Sequence, residues 1–243
     1  MHRRSVTFRM CLGLFLTFAC GFVSAAPVPV YQADQVGTYF REWLLCGPFP
    51  NTLPGDEDVT DYKHSERCVG FFGDLLESIG GEKNANPKDG EAGWYYFKSD
   101  SDLIRLNDIF DPNELVVGYG FCLIESPQDQ QAMLSFGCND GGRVWLNGEM
   151  VHEIHLADGR WLEKDDDYVP IQLKKGMNRL LVKIDEGSGD YGFVVRLLEY
   201  KQTVSELRKD LETHKHLSVV TLEDELTILF GTPHRIEALA VPG

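Results

Sequence analysis

Hydrophobic and polar residues alternate along most of this chain in short segments that are separated by turn residues. The segments are rich in β-branched and aromatic residues, and no helical period appears between them, which is typical of strands. Strands are predicted at 40–45, 115–125, 133–136, 143–146, 149–154, 168–173, 178–185 and 191–200. Short strands at this spacing indicate an all-β fold, an antiparallel β-sandwich of the jelly-roll type.

The dipeptide Asn147-Gly148 predicts a two-residue hairpin turn between two of these strands. Such a turn needs positive φ at both central positions, and Asn followed by Gly adopts it at the least cost. This register sets Trp145 opposite Met150 and Val144 opposite Val151. We therefore interpret Asn147 as a turn residue and not as a ligand contact.

Residues 51–112 are polar, glycine-rich and charged, unlike the strand segments. A connection of this length between strands is usually a working loop or a mobile one. Within it, residues 71–79 fit a short helix whose apolar face consists of Phe72, Leu75, Leu76 and Ile79.

After residue 200 the pattern changes to a helical one, so we divide the chain into a sandwich domain at 26–200 and a short C-terminal helical tail at 201–243. Thr203 and Glu206 have the spacing of a capping box, and a helix to about residue 214 is predicted. A second helix is predicted from 221 to about 231. The tail is interpreted as a lid on the sandwich, with a partner-binding arm as the alternative.

The first 25 residues have the build of a secretory signal peptide: arginines, an apolar segment and then small residues before a cleavage site. The predicted mature start is Ala26. We expect a secreted or periplasmic protein with no membrane association after cleavage, because no later segment approaches the length of a membrane span. A lipid anchor at Cys20 is the alternative.

The chain has 38 acidic residues against 23 Lys and Arg, and cleavage of the signal would remove three of the arginines. This balance disfavours nucleic acid and anionic lipid surfaces as partners. Solubility is the simplest explanation of the charge. The alternative is that acidic loops bind Ca²⁺, which prefers carboxylate and carbonyl oxygen.

Four cysteines remain after the predicted cleavage, and they permit three pairings. An oxidising compartment favours at least one disulfide, and none of the four has zinc-like spacing. We expect a bridge between Cys46 and Cys68. Cys122 and Cys138 lie on consecutive predicted strands, slightly out of register, and are expected to be buried thiols.

Residues 43–198 resemble the galactose-binding-domain-like jelly rolls of exported bacterial proteins, which often occur beside glycoside hydrolases. The resemblance rests on WLLCGPFPN at 43–51, Trp94 with Leu106 and Phe110, VGYG at 117–120, NDGGRVWLNG at 139–148, LKKGMNRLLVK at 173–183, and YGF at 191–193 with Arg196. It implies a jelly-roll fold and an accessory role that is often associated with sugars.

Saccharide recognition needs aromatic rings that stack on sugar faces, and polar groups that bond the hydroxyls. Trp161 is the first candidate platform, because it lies in a polar loop where a Trp has little core to fill, and Arg160 is beside it. Tyr191 with Asp190 is the second candidate. Asp140 completes the predicted ligand-binding set. Trp43, Trp94 and Trp145 lie on strand-like segments and are expected in the core.

The candidate metal ligands are Asn139, Asp140 and Asp166, which supply the oxygen donors that Ca²⁺ prefers. The alternative is that these acids are solvated surface. His152 and His155 are not expected to share a zinc ion, because in a strand they point to opposite faces, whereas zinc proteases place two histidines one turn apart on a helix.

No nucleophile elbow, phosphate-binding loop or dinucleotide fingerprint is present in the sequence. The favoured hypothesis is an exported, non-catalytic module that binds carbohydrate or assists polysaccharide processing, with loops 137–143, 156–168 and 186–192 in contact with the ligand. A structural or protein-interaction subunit of an exported complex is the alternative. A glycoside hydrolase with its site in 51–112 is the weaker one.

Overall fold

The structure is a computed structural model, and it describes residues 25–53, 68–156, 159–213, 219–222 and 225–228. The predicted signal peptide therefore lies outside the described residues, apart from its last residue. The described part contains thirteen strands and two α-helices. The strands are β1 (Val30–Gln32), β2 (Glu42–Pro50), β3 (Tyr95–Lys98), β4 (Ile104–Arg105), β5 (Val116–Ser126), β6 (Gln130–Asn139), β7 (Gly141–Leu146), β8 (Glu149–Ile154), β9 (Asp167–Leu173), β10 (Gly176–Glu186), β11 (Gly192–Leu198), β12 (Val219–Leu222) and β13 (Glu225–Ile228); the helices are α1 (Val69–Phe72) and α2 (Tyr200–Thr213).

Two facing sheets form the sandwich, so the predicted fold class is confirmed. The large sheet has the order β3-β2-β5-β10-β7-β8, and β1 pairs in parallel with β5. The small sheet has the order β4-β11-β6-β9, and every pairing other than β1 with β5 is antiparallel. None of the helices in the described ranges is long and apolar enough to cross a membrane.

The alternation of side chains explains which face of each strand enters the core. In β9, Val169, Ile171 and Leu173 are buried while Pro170 and Gln172 are exposed, as expected for a strand with one wet face. In β10, nearly every residue is buried. Its two faces must therefore both be covered, one by the small sheet and the other by a third layer.

The third layer is residues 68–94, which we call the cover, and it packs on the outer face of the large sheet. Phe71, Leu76, Ala85 and Trp94 form a second apolar core with residues of the sheet. Residues 68–94 of the stretch predicted as a working or mobile loop are thus packed on the sheet, and residues 54–67 of it lie outside the described residues. Burial of the aromatic side chains on both sides contributes about 25 cal/mol per Å² of apolar surface removed from water.

The predicted helix at 71–79 is not continuous in the cover. The turn α1 ends at Gly73, and a 3-10 turn follows at Glu77–Ile79. Phe71 is buried and Phe72 is exposed, so the expected apolar face is also wrong at this point. Further 3-10 turns lie at Glu82–Asn84 and Leu106–Asp108.

Buried polar contacts fix the cover to the large sheet. The Nζ of Lys183 donates to Glu82 Oε1 at 2.7 Å, and the Tyr119 hydroxyl donates to the same oxygen at 2.7 Å. Burial lowers the pKa of Lys183, and burial together with Glu82 raises the pKa of Tyr119. The chain before the cover contributes as well, since the Phe71 amide donates to Asn51 Oδ1 at 2.7 Å.

The hairpin between β7 and β8 has the predicted turn. Asn147 and Gly148 have φ of 55° and 88°, and Trp145 pairs with Met150 as expected. The expected pairing of Val144 with Val151 is wrong, because a β-bulge shifts the register and Val144 pairs with His152. A bulge places two residues of one strand against one of its partner.

The C-terminal tail is helical only in part. The helix α2 begins at Tyr200, so Thr203 lies inside its first turn and is not a cap; its hydroxyl donates to the Glu199 carbonyl at 2.7 Å. The Gln202 amide donates instead to the Glu199 carboxylate. The described residues within the second predicted helix are strand, since β12 pairs in antiparallel fashion with β13, consistent with the β-branched residues of these strands.

The predicted disulfide is not formed. Cys46, Cys68, Cys122 and Cys138 are all buried, and none is bonded to another cysteine. Cys46 lies 3.8 Å from the Ala92 carbonyl, whereas Cys68 faces a different set of side chains that is described below. The prediction that Cys122 and Cys138 are buried thiols is confirmed.

We expect Lys183→Met to destabilise the protein by about 3–5 kcal/mol, because it leaves the Glu82 carboxylate buried without its cation. The double variant Lys183→Met/Glu82→Gln should lose less, since Gln removes the charge and keeps an acceptor for Tyr119. Lys98→Met is the matched control: the Lys98–Glu42 pair is exposed, and its loss should cost below about 1 kcal/mol. Urea unfolding monitored by circular dichroism measures all three; equal losses in Lys183→Met and Lys98→Met would contradict the role given to the pair.

We expect Gly148→Ala to cost more than Gly176→Ala, although both glycines have positive φ, 88° and 94°. Positive φ alone costs an Ala about 1–2 kcal/mol. A Cβ at Gly148 would also lie 2.1 Å from the Lys83 carbonyl oxygen of the cover, whereas nothing lies within 4 Å of one at Gly176. Thermal unfolding of the two variants compares them, and the same midpoint in both would show that the cover does not pack on this turn.

Candidate functional site

Three loops meet at one end of the sandwich, which we call the loop end. They are the β6–β7 connection at Asp140, the loop 155–166 and the loop 187–191. Strand pairing brings them together, because the pairs closest to this end are Asp185 with Gly141, Gly142 with Ile154, and Gly192 with Asn139. The three loops predicted to contact a ligand therefore share one end of the fold.

Trp161 is 76% exposed, the largest exposure among the large hydrophobic residues of the described chain. The loop beneath it lies directly on the small sheet, since a Cβ at Gly137 would stand 2.0 Å from the Glu163 carbonyl oxygen. A Cβ at Gly192 would stand 3.1 Å from the Leu162 side chain. Leu162 thus faces the sheet while Trp161 faces solvent. The backbone of this loop is held in place by its packing on the small sheet.

Arg160 is bound within the protein and offers little free surface. Its guanidinium donates to Asp167 Oδ2 at 2.8 Å and also contacts Asp166. His152 lies 3.1 Å from the same Asp167 oxygen. Burial would raise the pKa of Asp167, but the bonds to His152 and Arg160 outweigh it and lower the pKa. This ion-pair group supports the base of the Trp161 loop.

Asp140 joins the three loops. Its carboxylate accepts from the Gly187 amide at 3.0 Å and from the backbone of Arg160, and its own amide donates to the Asp185 carbonyl at 2.9 Å. Burial raises the pKa of Asp140. Because its carboxylate is hydrogen-bonded to backbone amides, its position favours a structural role over direct contact with a ligand.

The structure separates Tyr191 from Asp190. Tyr191 is 1% exposed, its ring lies 6.1 Å from that of Phe110, and its hydroxyl donates to the Ile184 carbonyl at 3.3 Å. It is therefore a core residue, and the prediction that it is an exposed platform is wrong. Asp190 is exposed at the loop end, 3.9 Å from Arg105.

Two of the three predicted calcium ligands already have protein partners. Asp166 faces Arg160, and Asp140 accepts from Gly187. Asn139 is buried, and its Oδ1 has no hydrogen-bond partner among the described residues. The calcium site stays a prediction that no contact among these residues supports.

A second group at the loop end was missed by the sequence reasoning. Cys68, His155 and Asp185 each point one donor atom into the same place, and these atoms all lie within 4.8 Å of one another. His155 Nε2 is 3.2 Å from Asp185 Oδ2. The rings of Phe71 and Phe72 lie 4.8 Å and 5.3 Å from the His155 ring, so the group is shielded on the side of the cover.

The electrostatics of this group are dominated by its acids. Burial would lower the pKa of His155, but the bonds to Asp185 and Cys68 outweigh it and raise the pKa to about 10. The neighbouring Glu186 is buried, and burial, assisted by Asp140 and Asp185, raises its pKa to about 9. These raised pKa values favour a protonated His155 imidazole and a neutral Glu186 carboxyl at neutral pH.

The group does not have the arrangement of a nucleophile–base–acid relay. In such a relay the nucleophile and the carboxylate lie on opposite ring nitrogens of the histidine. Here the Cys68 and Asp185 donor atoms are within 4.8 Å of each other, closer than two groups bonded to opposite ring nitrogens would lie. Convergence of three donors on one point is instead what a bound cation requires.

No protein-family model matches this chain, and no curated protein matches it. Solved structures that match in part include β-glucosidase from Kluyveromyces marxianus, at TM-score 0.36 and 17% identity, over 49% of this chain and 16% of that one. β-Glucuronidase from Ruminococcus gnavus matches at TM-score 0.37 and 11% identity, over 70% and 31%. The GH31 α-xylosidase from Xanthomonas citri matches at TM-score 0.30 and 10% identity, over 42% and 12%. The chain spans less than a third of each of these proteins, and scores this low carry no argument about function.

Proposed function

We propose that the protein is an exported, non-catalytic β-sandwich module that binds carbohydrate at its loop end, with Trp161 as the stacking platform. The observation that carries the proposal is the exposure of the Trp161 ring on a supported loop. Burial of a side chain as large and apolar as an indole is stabilising, and an indole exposed to water lacks this stabilisation. A ligand with a flat apolar face would recover it.

Sugars have such faces, and they also need polar partners around the ring. Candidates for these at the loop end are the exposed Asp190 carboxylate and the exposed Glu163, two residues after Trp161. The other three Trp residues are buried in the two cores, as expected from their strand positions. Trp161 is therefore the single indole of the chain that is open to a ligand.

A protein-interaction role is the second candidate, and a groove between α2 and the small sheet favours it. The groove has a volume of about 280 Å³, and its walls include Val36, Tyr168, Arg196, Glu206, Leu207 and Asp210. Its walls combine charged residues of both signs with apolar side chains, as the polar rim and apolar core of a protein interface do. A glycoside hydrolase remains the weaker alternative, which turnover of a polysaccharide by the purified protein would support.

We expect Trp161→Ala to weaken binding to polysaccharides by about 1–3 kcal/mol, the range measured for aromatic stacking on planar partners. The measurement is affinity electrophoresis and calorimetry with galactans, glucans and xylans. Met177→Ala is the matched control: Met177 is also exposed, but it lies at the start of β10, at the opposite end of the sandwich. Absence of binding to every glycan, together with recovery of a stable protein partner, would favour the interaction role.

We expect Gly137→Ala to lift the Trp161 loop off the small sheet, because the new Cβ would stand 2.0 Å from the Glu163 carbonyl oxygen. The variant should show altered Trp emission, and any glycan affinity should fall. The same substitution in Trp161→Phe protein is the control, since the emission change should vanish there. An unchanged spectrum and affinity in Gly137→Ala would contradict the support given to this loop.

A further inference from the structure

Three chemically different donors converge where the cover meets the loop end. Cys68 is the residue before α1, His155 follows β8, and Asp185 lies near the end of β10. Their donor atoms lie within 4.8 Å of one another, and the imidazole-to-carboxylate distance is 3.2 Å. In a tetrahedral zinc site, bonds of roughly 2.0–2.3 Å set neighbouring donor atoms about 3.3–3.6 Å apart. The three donor atoms are therefore close enough together to bind one ion.

We propose that Cys68, His155 and Asp185 bind a divalent transition-metal ion of the Zn²⁺ type. The donor set decides the class of metal: a thiolate and an imidazole suit Zn²⁺ and its neighbours in the first transition row, whereas Ca²⁺ and Mg²⁺ take oxygen ligands. On binding, the Cys68 thiol and the His155 imidazolium each release a proton to solvent, and metal–sulfur and metal–nitrogen bonds replace them.

The environment of the three donor residues also favours a bound ion. Cys68 and Asp185 are buried, so their anionic forms together would lack the solvation that water gives, and a dication offsets that cost. The negative charges of the Cys68 thiolate and the Asp185 carboxylate together balance the charge of the dication. A Cβ at Gly141 would stand 2.3 Å from Asp185 Oδ1, so only glycine leaves this carboxylate its place.

The three-donor group is accessible to solvent on one side and is shielded by aromatic rings. The His155 side chain is 11% exposed, which leaves an approach from solvent, and the Phe71 and Phe72 rings pack against its imidazole. The described residues supply three donors, so one tetrahedral position is left for water or another ligand. Because the donors come from the cover, from the residue after β8 and from β10, the ion would cross-link the cover to the large sheet.

The first experiment uses the full-length purified protein, freed of metal with a chelator and titrated with Co²⁺ and then Zn²⁺. We expect one Co²⁺ per chain, with the sulfur-to-cobalt charge-transfer and visible bands of a tetrahedral thiolate site, and loss of these bands when Zn²⁺ displaces it. The thermal midpoint should rise with Zn²⁺, because a ligand that binds the folded state alone stabilises it. Absence of the charge-transfer band at saturating Co²⁺ would overturn the proposal with no variant needed.

The second experiment assigns the donors. We expect Cys68→Ser, His155→Gln and Asp185→Asn each to weaken Zn²⁺ binding by at least about 100-fold, and Cys68→Ser to abolish the cobalt–sulfur band. Cys122→Ser and His152→Gln are matched controls, since Cys122 is a buried thiol elsewhere and His152 bonds Asp167; both should bind Zn²⁺ as the parent protein does. Full binding in Cys68→Ser, or its loss in Cys122→Ser, would show that the metal lies elsewhere and would overturn the assignment.

Discussion

The ion pair of Lys183 and Glu82 joins the large sheet of this protein to the cover. Lys183 lies in the central strand of the large sheet and points away from the sandwich core, where a cation without a partner would be costly to bury. The Nζ of Lys183 donates to Glu82 and to the Gly73 carbonyl of the cover, and the Tyr119 hydroxyl donates to the same Glu82 oxygen. The large sheet can therefore be apolar on both faces only while the cover is in place, and the cover is fixed in one register by this carboxylate.

The placement of the cover decides what forms at the loop end. Cys68 is its first described residue, and the Phe71 carbonyl accepts from Arg143 of β7 at 2.9 Å. This contact, with the Asn51 bond to the Phe71 amide, sets the first turn of the cover beside the ends of β8 and β10. His155 and Asp185 would face solvent without it. The Cys68, His155 and Asp185 group is thus a product of the third layer, whereas the Trp161 loop rests on the small sheet.

Local patterns predicted the sandwich well and the site poorly, for one physical reason. The strands were predicted from alternation in segments such as β9, and the turn from the positive φ that Asn147 and Gly148 tolerate. Both are properties of residues that are neighbours in the chain. The burial of Tyr191 and the packing of the cover depend on contacts between distant segments. Cys68, His155 and Asp185 are far apart in the chain, and no spacing rule joins them. The exposure of Trp161 follows from its local sequence, because a Trp among polar residues has little core to fill.

The two proposed sites at the loop end are connected through one carboxylate. Asp140 accepts from Gly187 and from the backbone of Arg160, next to Trp161, while its amide donates to the carbonyl of Asp185. A metal ion on Asp185 would hold the end of β10 more firmly, and Asp140 would pass that restraint to the loop that displays the indole. The coupling is mechanical, since Asp140 need touch neither ion nor sugar. Stacking at Trp161 would then depend on metal occupancy through the order of its loop, while metal binding would not require the indole.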